Sequence, residues 1–234
     1  MSSLSDSEQL DTLKSFTQKY GSSIITGILI ALIAFFGWQY WQKKQLVTAQ
    51  TETAKVQQLM DDAQGLEGNP SAFATLSTAA DKIMKEAPDT VQAIQSQMVM
   101  AKVAYDNGKY ADAERALQRV ENTKIDDVGL LQIVKLRLAY AQLAQNKYDA
   151  ALKTLAAVTE PAFKATAEEA RGDVYVAKKE IENAKKAYQS AWADLVERQQ
   201  ERPILQIKLE SVGVLVDDPE IERPIIETQA EETE

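Results

Sequence analysis

Twenty-one consecutive residues, Gly21 to Trp41, carry no charge (GSSIITGILIALIAFFGWQYW), and no other run like it occurs in the chain. A helix over this run, rising about 1.5 Å per residue, reaches about 31 Å, the thickness of a bilayer's hydrocarbon core. Tyr20 marks one end, and Trp38, Tyr40 and Trp41 mark the other, where amphipathic rings suit the headgroup level. Lys19, Lys43 and Lys44 flank the run and are long enough to snorkel. The run is too long for the apolar stretch of a signal peptide. The residues after it, Trp38-Gln39-Tyr40-Trp41, are bulky where cleavage requires small ones. The sequence therefore predicts an uncleaved transmembrane helix over 21–41, a short segment 1–20 on one side, and the rest of the chain on the other.

The remainder is polar and acidic. Residues 1–20 carry a net charge of −1 (Asp6, Glu8 and Asp11 against Lys14 and Lys19) and the uncharged run carries none. Residues 42–234 thus hold −8 of the chain's −9. A net-acidic polar part lacks the basic face that nucleic-acid binding needs. The 234 residues include no Cys and no His. That excludes Cys/His zinc sites, thiol redox chemistry, Ser-His-Asp and Cys-His nucleophile pairs and an imidazole pH switch. Lack of cysteine also fits a compartment where stray thiols oxidise. The carboxylate pairs Asp61-Asp62, Asp126-Asp127 and Glu168-Glu169 are sequence neighbours, so they diverge around a helix or lie in a loop, and they read as solvated caps and faces. No residue is assigned a catalytic, cofactor-binding or metal-binding role, and the chain is not expected to be an enzyme.

Helical periodicity dominates the chain beyond the uncharged run. Residues 42–63 continue as a helix with a thin apolar line, Ala49, Val56, Met60 and Ala63, and 65–70 breaks it. Residues 71–86 carry Phe73, Leu76, Ala80 and Ile83 at amphipathic spacing, ending before Pro88. Residues 89–107 come next, and Gly108 supplies a left-handed stop. The chain then repeats. Tyr110 to Leu117, Tyr148 to Leu155 and Ile181 to Tyr188 share a pattern of large, small and large residues at offsets of 38 and 33. Each segment lies after a helical run and a tight turn. That period with helix-turn-helix character is the signature of tetratricopeptide repeats. Gly172, Tyr175, Ala184, Tyr188 and Ala191 fit the pattern best, and the small residues mark where the two helices of a repeat cross closely. The first two units depart from it, with Ala101 and Ala139 in place of the glycine and Ala104 and Gln142 in place of the aromatic. Pro203 opens a last helix whose stripe Leu205, Leu209 and Val212 caps the array. The fold class is all-α: one N-terminal transmembrane helix followed by a tetratricopeptide-like helical-repeat solenoid. The expected divisions are 1–20 short segment, 21–41 span, 42–87 connector and first helices, 88–216 repeats with capping helix, and 217–234 tail. The tail has eight acidic residues, one Arg and two prolines, a composition expected to be disordered.

Motifs along the chain carry a more specific likeness. They are Glu8-Gln9-Leu10, Leu13-Lys14 and Tyr20-Gly21, then Gly37-Trp38-Gln39-Tyr40-Trp41, Leu136-Arg137-Leu138-Ala139 and Asp149 to Leu155. Ala170-Arg171-Gly172-Asp173 and Pro203 to Leu209 complete the set. In this order and spacing, over residues 8–212, the chain resembles the ancillary SecYEG translocon subunit family, single-pass inner-membrane proteins of Gram-negative bacteria with a periplasmic tetratricopeptide-like domain. The resemblance implies a non-enzymatic role. It implies association with the SecYEG translocon and with a membrane-anchored periplasmic chaperone of the prolyl-isomerase type, and chaperone-like assistance to unfolded or nascent envelope proteins. It also implies orientation, with residues 1–20 cytoplasmic and the repeats periplasmic. Charge alone leaves orientation a tie, Lys14 and Lys19 against Lys43 and Lys44. Residues 217–234 extend past the family's expected end. A scaffold subunit of another cell-envelope assembly, using the same repeat groove, is the alternative.

Laid on the repeat pattern, Met98, Lys102 and Tyr105, then Ile133, Leu136, Tyr140 and Leu143, then Glu169 and Asp173 face the side that usually takes a partner. Met98, Tyr105, Ile133, Leu136, Tyr140 and Leu143 are the candidate partner-binding residues, since Met adapts and Tyr makes amphipathic contact. The competing reading buries them beneath the helices of 45–86. In the membrane run, Gly27, Ala31 and Ala34 share a face at spacings of 4 and 3, a candidate surface for close approach of another helix. Plain compatibility with lipid explains the same residues equally well.

Overall fold

The computed structural model describes residues 3–64 and 70–216, with side chains described from Thr26 onward except at positions 45, 48, 49 and 70–72. The anticipated break at 65–69 and the acidic tail 217–234 lie outside the described residues. The chain divides into two units, Met1–Ala54 and Lys55–Glu234. The described residues are helical: α1 Ser3–Gln64, α2 Pro70–Glu86, α3 Val91–Asp106, α4 Tyr110–Gln118, α5 Val128–Leu143, α6 Tyr148–Ala156, α7 Lys164–Ala177, α8 Ile181–Glu197 and α9 Pro203–Ser211, with a 3-10 turn at Pro161–Phe163.

In the first unit α1 is continuous helix, and its large apolar side chains are exposed. Ile28, Ile30, Ile33, Phe35, Phe36, Trp38 and Tyr40 are all more than half exposed. A Cβ added at Gly27 meets nothing within 4 Å. Among the described residues no helix is long and apolar enough to cross a membrane. The anticipated span draws part of its apolar length from Ile24 and Ile25, whose side chains lie outside the described residues. From Thr26 onward, a window of span length runs into the polar stretch Gln39 to Lys44.

The second unit is built pair by pair. α3 with α4, α5 with α6 and α7 with α8 are helical hairpins, and each helix packs on its neighbours in sequence. Pro70, read from the sequence as part of the break, is instead the first residue of α2. Proline's missing N–H is harmless there. Thr90 caps α3 by accepting from the Ala93 amide at 3.1 Å, and Asp127 caps α5 by accepting from the Leu130 amide at 2.9 Å. The first helices of the three hairpins end alike. Gly108, Asn146 and Lys179 take left-handed backbone (φ 70, 60 and 63) at the same position of each unit. The next amide then reaches back to the last turn: Lys109 to the Ala104 carbonyl at 2.8 Å, Lys147 to Gln142 at 2.9 Å, Glu180 to Tyr175 at 2.9 Å. This closure satisfies carbonyls the helix end would leave open, and it fixes the hairpin angle.

Three apolar clusters stack along the array. The first joins Val56 and Leu59 of α1, Leu76, Ala80 and Ile83 of α2, Ile94 and Met98 of α3, Leu117 of α4, and Val134 and Leu138 of α5. The second joins Leu136 and Ala139 of α5, Leu155 of α6, and Ala167, Ala170 and Val174 of α7. The third holds Ala165 of α7, Ala184, Tyr188, Ala191 and Leu195 of α8, and Leu205, Leu209 and Val212 of α9. α5 is shared between the first two, so it is apolar around most of its circumference. The stripe read on the last helix is the one α9 buries.

At Gly172 the helices of the third hairpin nearly touch. A Cβ built there lies 2.1 Å from Cε1 and 2.2 Å from Cδ1 of Tyr188, whose ring is buried. The offsets of 38 and 33 place Ala139 with Leu155, and Ala101 with Leu117, at the equivalent positions, and all four are buried. Leucine in place of the tyrosine ring leaves room for one methyl. The first two units therefore keep the close crossing with a different small-large pair. A second joint is polar. Glu114 of α4, 7% exposed, accepts from Lys147 Nζ at 2.6 Å and Gln145 Nε2 at 2.8 Å. Burial alone raises its carboxyl pKa. The hydrogen bonds and charge of Lys147, Gln145 and Gln142 outweigh that and hold it below the ordinary 4.5.

Both joints can be tested by mutation. Gly172→Ala lowers unfolding stability by about 2 kcal/mol, the scale of overpacking in a closed core. The double variant G172A/Y188L loses at least about 1 kcal/mol less than the two singles summed, by denaturant midpoints on the intact chain. The lowered Glu114 pKa means that its contribution is present above the unfolded-state value and is lost as pH falls through the folded value, below about 4.5. Acid titration of thermal stability therefore shows a steeper loss below that pH for the native chain than for Glu114→Gln.

Candidate partner-binding groove

The first helix of each hairpin sets a line of equivalent side chains along one face. The offsets carry Met98 to Leu136 to Glu169, and Lys102 to Tyr140 to Asp173. Along this line the face changes character from open and apolar to closed and polar.

At the open end, two cavities adjoin. One, of about 490 Å³, is lined by Met60 and Ala63 of α1, Met98, Val99 and Val103 of α3, and Leu130 of α5. The other, of about 400 Å³, is lined by Ala101 and Tyr105 of α3, Ala113 and Leu117 of α4, and Tyr140 and Ala141 of α5. Lys102, Asp106 and Arg137 border both, so the two form one groove with a charged waist. Lys102 pairs with Asp106 one helical turn away. Arg137 is exposed and has no hydrogen bond or ion pair among the described residues. The groove therefore offers apolar surface on either side of one free guanidinium, which suits an apolar chain segment with a carboxylate in its middle.

At the closed end, α9 lies over the line. Arg202 Nη1 donates to Glu169 Oε2 at 2.7 Å, and Arg202 Nη2 to Thr166 Oγ1 at 3.2 Å. Lys208 Nζ reaches Glu169 Oε1 at 2.8 Å and the Asp173 carboxylate at 2.8 Å. The Tyr188 hydroxyl donates to Asp173 Oδ1 at 2.8 Å, and the Tyr140 phenol lies within the field of the same carboxylate. Burial first, then the Asp173 and Glu169 charges, push the Tyr140 phenol well above its ordinary 10.0. Tyr188 is pushed up by burial and by its bond to Asp173. Burial pulls Lys208 down, but its bonds to Asp173 and Glu169 outweigh that and its pKa rises. Both phenols stay neutral, the ammonium stays charged, and the acceptors are filled. The cluster is a latch with no group poised for proton transfer. Among the described residues no group of acidic side chains is arranged to hold a metal ion.

The candidate residues do not share one surface. Met98 is 9% exposed, inside the first cluster yet bordering the larger cavity, and Ile133 packs partly buried against that cluster. Leu136 is 7% exposed in the second cluster, and Leu143 packs partly buried there, as does Tyr140, which also walls the smaller cavity. Tyr105 is 39% exposed and stands edge-on to Tyr110, ring centroids 5.0 Å apart. The helices of 45–86 account for part of this burial, through Val56, Leu59 and α2. α6 and α7 account for Leu136. Periodicity passed over Arg137, Arg202 and Lys208. The clue was there for the last two, since Glu169 and Asp173 sit where the other hairpins have neutral or basic side chains, and α9 brings the cations.

The comparisons with known proteins agree with this geometry. A family model described as "Tetratricopeptide repeat-like domain" matches residues 14–214. A protein of Neisseria gonorrhoeae (strain ATCC 700825 / FA 1090) named "Ancillary SecYEG translocon subunit" is 26% identical over 209 residues, 89% of this chain and 98% of that protein. One of the same name from Aggregatibacter actinomycetemcomitans is 28% identical with the same coverage. One from Escherichia coli (strain K12), also so named, is 26% identical over 186 residues, 79% of this chain and 86% of its own length. No solved structure matches at a significant level. The sequence resemblance therefore extends along nearly the full length of these proteins.

Core and groove separate on mutation. Leu136→Ala lowers unfolding stability by about 2–4 kcal/mol through the cavity it leaves, whereas Tyr105→Ser, at an exposed position, changes it by less than about 1 kcal/mol. Urea melts of the two variants check the difference.

Proposed function

This chain belongs to the tetratricopeptide repeat-like domain family, and on that premise we propose that it is a membrane-anchored, non-catalytic adaptor of the Sec translocon. The observation that carries the reading is the match, over 89% of this chain, to proteins named for their place in the SecYEG translocon. The chain's own physics supports it. Residues 21–41 are uncharged, and from Ile28 to Trp41 the helix presents large apolar side chains to its surroundings. Exposed apolar surface on this scale needs a cover, and lipid supplies one. In this reading residues 1–20 are cytoplasmic and the repeats periplasmic, with Gly27, Ala31 and Ala34 open to a neighbouring helix.

The groove of α1, α3 and α5 is the working surface, with Met98, Tyr105 and Tyr140 at its walls and Arg137 at its waist. Newly translocated envelope segments and a periplasmic prolyl-isomerase-type chaperone are the proposed partners. Sites of this kind act by holding: apolar area gives affinity, and the polar waist sets register. Leu136, Ile133 and Leu143 support the walls from within.

Photo-crosslinking in native membranes, with the reactive residue at Tyr105 and products identified by mass spectrometry, tests the reading. Translocon subunits, a periplasmic chaperone or nascent envelope proteins are the expected products, and Arg137→Glu weakens those from acidic segments. Stable, stoichiometric products from an unrelated envelope assembly, with none from the translocon, overturn it.

A further inference from the structure

The groove and the chain's own acidic tail have matching chemistry. The family match ends at residue 214, and residues 217–234 are additional. They begin Asp217-Asp218-Pro219-Glu220-Ile221-Glu222-Arg223-Pro224-Ile225-Ile226-Glu227, three isoleucines set among acids, within a segment holding eight acidic residues and one basic. We propose that residues 217–227 are an intramolecular occupant of the groove, with Ile221 at the cavity walled by Tyr105 and Tyr140, Glu222 on Arg137, and Ile225-Ile226 at the cavity walled by Met98, Val99 and Leu130.

Four observations carry this. The groove is apolar on both sides of a guanidinium that has no partner among the described residues. The tail offers apolar, acidic and apolar side chains in the same order. Its prolines at 219 and 224 make it a poor helix former, so it suits an extended lie across neighbouring helices. Second, α9 already covers the same line of side chains one hairpin away. Lys208 sits on Glu169 and Asp173, the equivalents of Leu136 and Tyr140. A chain leaving α9 and turning over the next hairpin continues that course. Third, Tyr140 belongs to both places, walling the smaller cavity while packing in the second cluster with its phenol in the field of Asp173 and Glu169 under α9. Closed end and groove are therefore contiguous. Fourth, the reach suffices. Val216 packs at the third cluster, and α7 to α5 to α3 is two helix spacings, about 20 Å. Nine residues from Val216 to Ile225 span up to about 30 Å when extended.

Occupied by its own tail, the groove is shielded, and a segment that shares the tail's pattern must displace it. The tail then acts as a competitor of low intrinsic affinity but high effective concentration, which sets a threshold for clients. This regulation rests on the groove reading above; the docking itself does not.

The test uses the intact chain, purified in detergent with no translocon present. A photo-crosslinking residue replaces Ile225, and light and heavy isotope-labelled chains are mixed before irradiation. Crosslinks to peptides holding Met98, Val99 or Arg137 are expected within one chain, without light-heavy pairs. Arg137→Glu lowers their yield about three- to fivefold, the scale of an exposed ion pair turned to like charges, and adding Glu222→Arg restores it. Light-heavy crosslinks alone overturn the proposal and make a second copy the occupant. Crosslinks scattered outside the groove, or unmoved by Arg137→Glu, overturn it as well. Because no translocon is present, either result leaves the translocon reading standing, and failure to find translocon products in membranes leaves this one standing.

Discussion

Close crossing of paired helices is the constraint on which the repeat array rests. Two helices that share a hairpin approach this closely only where one presents a small residue to a large one on the other. Gly172 against Tyr188 is the tightest instance, with the ring lying where a Cβ would go. Ala139 with Leu155 and Ala101 with Leu117 occupy the equivalent positions, each pair buried in one cluster. Each crossing fixes the angle of its hairpin, and the recurring left-handed stops at Gly108, Asn146 and Lys179 fix where it turns. Stacking is then required, because a hairpin has apolar side chains on both sides and leaves one uncovered unless a neighbour packs there.

The ends of such a stack need different solutions, and this chain uses two. At the near end the last turns of α1 cover the first cluster through Val56 and Leu59, and Lys55 pairs with Glu86 at 2.6 Å. At the far end α9 buries Leu205, Leu209 and Val212 while Arg202 and Lys208 neutralise Glu169 and Asp173. The carboxylates lie on the face that is open in the neighbouring hairpin. Capping and closing are therefore one act: the helix that ends the core also covers the third hairpin's stretch of that face. What remains open is the groove around Arg137.

Much of this architecture was legible in the chain. The offsets of 38 and 33, the amphipathic runs and the capping stripe of α9 can be read from residue types alone, because helical periodicity and turn chemistry are local. The apparent lapses at Ala101 and Ala139 were legible too, once their partners Leu117 and Leu155 are considered with them. The candidate binding face was less so. α5 is apolar around its circumference, so no period separates Leu136, which faces α6 and α7, from Tyr140, which also walls a cavity. Arg137 lies between them, passed over because a lone arginine on a helix usually means only solvent.

The sequence by itself determined that residues 88–216 read as helices paired in repeats with a capping helix, where each first helix stops, and that no cysteine or histidine chemistry is available. These features depend on side-chain type and near-neighbour spacing. Tertiary structure decided which apolar residues are core, which carboxylates are latched, and that Arg137 in the groove has no partner among the described residues. Those outcomes depend on partners such as Arg202 with Glu169 and Lys208 with Asp173, 33 and 35 residues apart, and local spacing does not encode which distant charge arrives.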